Sequence, residues 1–382
     1  MSSRRTFLKR VTGVTAGMFM GGSIADSAFA MMQQAAAPRP KRREVSIGGR
    51  RVTTIDVHAH MTFPDYWKAV PKDYAIPDYL EQLAHTYRTQ PIPTFDPHGP
   101  AVDALLRDMD EMGLDMRAVS MNPPPYWIVG PELARQVVRI QNEKLAELCT
   151  ANPDRFVGLG NLTLQYPNVA VEQMEEGMKI GLRGFMLGGS VNGEELSSTI
   201  FHVLWAKADQ LGAVFFIHPW GFNGNYDLRP GQPRLGGNGN LGNVIGNPLE
   251  TTIALSHLIQ EGTFDRFPNL KIIAAHGGGF LPSYAGRSDQ CLETFPEQCK
   301  PLKKKPSEYL RQIYYDSMLF TPEGLRHLIA EVGASQVMIG TDGNRWNHDC
   351  VDRVLAVPGL SQADQIAILG GNAAKLLKIK VS

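Results

Sequence analysis

Four of the ten histidines in this chain stand where short apolar runs stop, and one aspartate joins them. His58 and His60 close Ile55-Asp56-Val57-His58-Ala59-His60, and on an extended chain their two-residue spacing sends both imidazoles to the same side. His218 closes Val214-Phe215-Phe216-Ile217-His218, His276 closes Ile272-Ile273-Ala274-Ala275-His276, and Asp342 ends Ile339-Gly340-Thr341-Asp342. A lone histidine after an apolar run is more often a hydrogen-bonded structural residue than a ligand. Four in equivalent positions, with a carboxylate, form a constellation. Neutral imidazoles plus one carboxylate suit a borderline divalent transition metal that keeps one position open for water. His58, His60, His218 and Asp342 are therefore the candidate ligands. His276 is left as the acid/base, a fifth-ligand role being its competing assignment. An adjacent imidazole can take the proton of a water whose titration the metal has brought near neutrality. The other histidines read as solvated or packing residues, except that His348, close after Asp342, is a further candidate contact.

These residues need a scaffold that ends several strands at one place. Eight Val-, Ile- and Phe-rich runs recur, each followed by a turn and a segment of helical period: Val52 to Val57, Arg117 to Met121, Phe156 to Gly160, Leu182 to Leu187, Ala213 to Ile217, Leu270 to Ala275, Ile313 to Asp316 and Gln336 to Gly340. Eight such βα units close a TIM (β/α)8 barrel of α/β class, whose active sites lie at the strands' carboxyl ends. A doubly wound open sheet is the alternative. No G-x-G-x-x-G follows the first strand and no phosphate loop occurs, so the barrel is preferred. Long irregular stretches after strands 1 and 5, Met61 to Gly99 and Gly221 to Asn247, read as lids. Asn247-Pro248 with Glu250, and Thr321-Pro322-Glu323, read as helix starts. A two-metal barrel generally carries a carboxylated lysine ending strand 4. Here Arg183-Gly184-Phe185-Met186-Leu187-Gly188-Gly189 has none, so one metal is expected.

At these residues the chain resembles the amidohydrolase superfamily, and within it the 2-amino-3-carboxymuconate-6-semialdehyde decarboxylase family. The resemblance runs over nearly everything after Thr53. It is carried by Asp56-Val57-His58-Ala59-His60, Arg155-Phe156-Val157-Gly158-Leu159-Gly160, His218-Pro219-Trp220, Glu250-Thr251-Thr252, Phe267-Pro268-Asn269-Leu270-Lys271, His276-Gly277-Gly278-Gly279 and Gly340-Thr341-Asp342. It implies one zinc or manganese ion held by His58, His60, His218 and Asp342, with His276 as general acid/base. It also implies Trp220 as a wall of the substrate pocket and Arg287 as a contact to the substrate carboxylate across a homodimer interface. Two departures bear on substrate choice: Gly343-Asn344-Arg345-Trp346 replaces the family's usual Tyr-Pro, and the first lid lacks an obvious carboxylate-gripping arginine, Arg88 being nearby. The expected activity is non-oxidative decarboxylation of a small unsaturated or aromatic carboxylate. The same constellation could hydrolyse a lactone, ester or amide, and a non-catalytic binding barrel would leave such positions unfilled.

The ends and the composition set the surroundings. Ser3-Arg4-Arg5-Thr6-Phe7-Leu8-Lys9, an apolar Gly-rich run and Ala28-Phe29-Ala30 read as a twin-arginine export signal over residues 1–30, too short and glycine-rich for stable membrane insertion. Residues 31–50 read as a flexible leader, and 51–382 as the catalytic domain. Without residues 1–30, which hold four basic residues and one acid, 34 basic residues face 37 acidic ones. That balance argues against nucleic-acid binding, which needs a concentrated basic patch. Four scattered cysteines do not make a disulfide scaffold; Cys291 and Cys299 are either bridged in an oxidising compartment or two free thiols. The expected location is the periplasm, reached through the twin-arginine machinery. Replacing both Arg4 and Arg5 by Lys should therefore trap the protein in the cytoplasm, as read by cell fractionation; normal periplasmic delivery of that variant would remove the assignment.

Overall fold

Each apolar run that ends in a candidate site residue folds as a strand. A computed structural model describes residues 40–122, 124–219, 235, 239–298, 302–343 and 347–381. Its principal strands are β1 (Ile55–His60), β2 (Met116–Ser120), β3 (Phe156–Gly160), β4 (Gly184–Leu187), β5 (Val214–Ile217), β6 (Lys271–Ala274), β7 (Tyr314–Asp316) and β8 (Val337–Met338). They form one parallel sheet in chain order. Between β1 and β8 the circle closes through a parallel bridge of Asp56 with Ile339 and a 2.9 Å hydrogen bond from Val57 N to Ile339 O. The result is the (β/α)8 barrel.

The seven crossovers carry α1 (Pro100–Met112), α2 (Pro131–Ala151), α3 (Pro167–Lys179), α4 (His202–Leu211), α5 (Asn247–Gln260), α6 (Ala285–Thr294) and α7 (Pro322–Val332). Strands covered on both faces need apolar residues on both, which is why their runs are nearly continuous. In β5, Val214 and Phe216 join the barrel interior, while Phe215 and Ile217 join the layer under the helices. The first turn of α7 is capped as its sequence suggests, Thr321 Oγ1 accepting from Gly324 N at 3.0 Å. Asn247 differs. A π-helical turn over Gly242–Gly246 already runs helically into α5, so Asn247 lies inside helical backbone and caps nothing.

The first insertion contains a 3-10 turn (Pro64–Lys68) and a helix (Asp78–Thr89). Trp67 is its centre, stacked on Tyr66, Tyr87 and Trp127 with ring centroids 5.2, 5.7 and 5.8 Å away. Most of the second insertion, 220–234 and 236–238, lies outside the described residues. Packed chain begins well ahead of β1. Val45, Ile47 and Val52 are buried, a hairpin pairs Ser46–Ile47 with Arg50–Arg51, and Arg42 reaches Asp110 at 3.2 Å. No helix among the described residues is long and apolar enough to cross a membrane.

The barrel seam depends on a side chain. Asp56, fully buried, accepts hydrogen bonds from His58 N (3.0 Å), Thr341 N (3.1 Å), Thr341 Oγ1 (2.6 Å) and Arg117 Nε (2.9 Å). Removing one member of a buried, hydrogen-bonded ion pair strands the other. Asp56→Ala should therefore cost about 3–5 kcal/mol in denaturant unfolding, and a loss below about 1 kcal/mol would show that the seam does not rest on this carboxylate.

Candidate active site

The structure brings His58, His60, His218 and Asp342 together at the carboxyl ends of β1, β5 and β8, with one donor atom from each lying within 4.8 Å of all the others. Asp342 Oδ1 is 3.1 Å from His58 Nε2, 3.2 Å from His60 Nε2 and 3.9 Å from His218 Nε2. His58 Nε2 and His60 Nε2 are 3.2 Å apart. Donors at about 2.0 Å from one ion in a tetrahedron are about 3.3 Å from each other, so the closer pairs already have the spacing of a single-metal shell.

Hydrogen bonds fix which nitrogens face inward. His58 Nδ1 donates to Asp316 Oδ2 at 2.6 Å. Ser120 Oγ donates to Ala59 O at 3.2 Å, which leaves it to accept from His60 Nδ1 at 2.9 Å. In their neutral form both rings thus keep an unprotonated Nε2 for the cluster. His218 is buried with neither ring nitrogen hydrogen-bonded. Buried polar atoms without partners are costly, and a cation would be a partner for His218 that the other three donors could share. The donor set fits a divalent metal.

Electrostatics point the same way. Burial works against charge on His58, but Asp342 and Asp316 outweigh it and raise its titration to about 10. Burial and the neighbouring imidazoles lower His218 well below the usual histidine range, and burial also lowers His60. Asp342 is held well below the carboxylate range by His58 and His60 despite its burial. His276 stands beside this group, its ring centroid 5.2 Å from His58 and 5.3 Å from His218. Burial and the charge on His58 lower it to about 4, so its imidazole is neutral. It is not one of the four residues whose donor atoms converge.

The remaining sequence candidates are placed differently. Trp220 and Asn344-Arg345-Trp346 lie outside the described residues, as does Cys299 of the suggested Cys291 pairing. Arg287 is exposed on α6 and the structure does not bring it into the cluster of its own chain. His348 is exposed and outside the ligand group. Arg88 is tied to Tyr74 O at 2.6 Å and Glu81 at 3.5 Å within the first lid. Two residues escaped the sequence reading, Ser120 and Asp316. Both end strands of the structure, and Asp316 also ends its apolar run as a signal in the sequence, whereas Ser120 lies one residue inside its run.

The family model described as Amidohydrolase matches residues 55–379. The chain belongs to this amidohydrolase family. It is 28% identical over 345 residues to a 2-amino-3-carboxymuconate-6-semialdehyde decarboxylase from Dictyostelium discoideum, covering 86% of this chain and 92% of that protein. Among solved structures it resembles 5-carboxyvanillate decarboxylase from Sphingomonas paucimobilis, with 25% identity, TM-score 0.73 and coverage of 86% and 100% of the two chains. It also resembles a dihydroxybenzoic acid decarboxylase from Polaromonas sp. JS666 solved with bound manganese and the inhibitor 2-nitroresorcinol, at 25% identity, TM-score 0.68 and coverage of 87% and 98%. Elemental analysis of this amidohydrolase should approach one transition metal per chain, and His58→Ala or Asp342→Ala should lose most of it, since each removes a donor. Two tightly held metals per chain would overturn the single-ion site.

Proposed function

We propose that this chain is a metal-dependent, non-oxidative decarboxylase of an aromatic or unsaturated carboxylic acid. The observation that carries the reading is the His58, His60, His218 and Asp342 cluster with neutral His276 beside it, in an amidohydrolase barrel similar to decarboxylases. The metal, zinc or manganese, would be held by His58, His60, His218 and Asp342, where it would supply positive charge for a carboxylate substrate. Neutral His276 takes up a proton from water in the site. The bond between the substrate carbon and its carboxylate breaks, CO2 departs, and the electron pair left on carbon captures a proton that the His276 imidazole delivers. His58, His60, His218 and Asp342 hold their geometry throughout. Phe216, packed edge-on at 4.8 Å from His58, gives the site an apolar floor.

Arg287 supports a further element of the reading. It is exposed on α6, and Arg88 is engaged within its own lid. In a homodimer Arg287 of one protomer would meet the substrate carboxylate in the other, with Trp220 walling the pocket. The enzyme acts in the periplasm after export directed by Arg4 and Arg5, which belong to the 1–30 signal.

His276→Ala should keep its metal while turnover falls by about two to four orders of magnitude, the range for losing a positioned acid/base. Metal content and turnover measured in one preparation decide the matter. An inactive, metal-free variant would make His276 a ligand, and a fully active one would make it structural. Release of CO2 from screened aromatic and unsaturated carboxylates supports the decarboxylase, whereas labelled water oxygen entering a product carboxylate would make the enzyme a hydrolase.

A further inference from the structure

Asp316 ends β7 with its side chain fully buried and all of its visible bonds aimed at the site's framework. Oδ2 accepts from His58 Nδ1 at 2.6 Å and from His276 N at 2.9 Å. Oδ1 accepts from Gly277 N at 2.8 Å and from Met318 N at 3.1 Å. One carboxylate therefore holds a ligand ring on β1, the backbone carrying the acid/base after β6, and the turn after its own strand. We infer that Asp316 is a positioning residue of this active site, fixing the ring of the ligand His58 and the place of the His276 imidazole together. This rests on the metal-site reading above.

The chemistry of the four contacts explains why a carboxylate is needed. All four partners are N–H donors, and only a group with two accepting oxygens and no hydrogen satisfies them. An amide of the same shape fails in either orientation. With its NH2 toward His58, the ring must turn its Nδ1 into an acceptor, and the neutral tautomer then carries hydrogen on Nε2, aimed into the ligand cluster. With its NH2 toward Gly277 and Met318, two backbone donors lose their partner and the His276 turn loses its anchor. Within that turn Gly278 N bonds Ala275 O and Gly279 N bonds His276 O, each at 3.0 Å, while its first two N–H groups depend on Asp316. His276 has φ +54°, a left-handed conformation unfavourable for histidine, and Gly277 follows at φ +63°. The N–H groups of both residues end on Asp316.

A residue that only stabilised the fold would lower the unfolding midpoint and leave metal affinity and turnover of the folded protein alone. A positioning residue moves the latter two. For Asp316→Asn, chelator competition without substrate should show metal affinity about 10- to 100-fold weaker. At saturating metal, kcat should fall at least about tenfold while KM changes by less than about threefold. Unchanged metal affinity and kcat in folded Asp316→Asn would overturn the inference, and so would a change confined to the unfolding midpoint. Should that variant not fold, the zinc-loaded wild type gives an independent answer. Long-range 1H–15N spectra of 15N-histidine protein should show His58 protonated at Nδ1, and a hydrogen-free Nδ1 would overturn the assignment. Because chelator competition and the spectra need no substrate, they stay decisive if the decarboxylase reading fails. A wild type that binds no divalent metal would instead sink that reading and the inference together, an outcome recognisable before any variant is made.

Discussion

Closing the barrel between its first and last strands is the constraint on which this site depends, because the candidate metal donors sit on both sides of that seam. His58 and His60 belong to β1, and Asp342 follows β8. Backbone pairing there is slight, a single bridge of Asp56 with Ile339. The Asp56 carboxylate adds what the ladder lacks by gripping the backbone of His58 and both the amide and hydroxyl of Thr341. The approach is close enough that Gly340 has to be glycine. A Cβ there would lie 2.6 Å from the Cβ of Asp316 and 3.1 Å from that of His58.

The charge arrangement follows from this geometry. Asp56 is neutralised by buried Arg117, whose Nε lies 2.9 Å away. Among the described residues no lysine or arginine pairs with Asp316 or Asp342, and both carboxylates converge on His58. Both carboxylates favour the protonated imidazolium of His58, with Nδ1 toward Asp316 and Nε2 toward Asp342, and raise its titration against the effect of burial. A divalent ion held by His58, His60, His218 and Asp342 would compete with a proton for His58 Nε2. Metal uptake is accordingly coupled to proton release. The neutrality of His276 is the other face of the same field, since the burial and positive charge that disfavour a second proton leave its imidazole free to accept one during chemistry.

Much of this was legible in the sequence because the ligand chemistry resides in residues that end apolar runs. Phe156–Gly160 is a strand with the bounds its pattern suggests, and the other runs are displaced by a few residues at their ends. The largest displacement is at β1, which begins at Ile55 because Thr54 is held by Asp115, its N and Oγ1 bonded at 2.9 and 3.2 Å. The buried alternation of Val45 and Ile47 lay in a stretch whose basic, proline-containing approach reads as leader, and burial there comes from packing against elements far along the chain. Asp316 was hidden for a related reason. Its partner His58 is 258 residues away, and a carboxylate that works by accepting N–H bonds carries no ligand spacing to betray it. The turn before α5 offers only glycines and apolar residues, which do not distinguish a π turn from a loop.

Strain shows why these supporting carboxylates and the functional side chains form one unit. His276 and Asp342 both adopt left-handed backbone, φ +54° and +63°, and such conformations in non-glycine residues cost of order 1–3 kcal/mol each. Neither turn would hold that shape on local preference. Asp316 receives the N–H groups of His276 and Gly277, and Asp56 receives that of Thr341 while Gly343 N bonds His58 O at 3.1 Å. The Asp342 turn is thus fastened to the strand bearing His58, and the His276 turn to β7 through the carboxylate that also holds the His58 ring. An ideal continuation of β6 or β8 would carry the following side chain onward with the strand, whereas the left-handed turn folds it back over the barrel mouth, where His276 comes within 5.2 Å of the His58 ring and Asp342 within bonding reach of two imidazoles. Within the site this strain falls at the two places where the chain leaves the strand direction, and the hydrogen bonds that offset it are the same ones that hold the site residues.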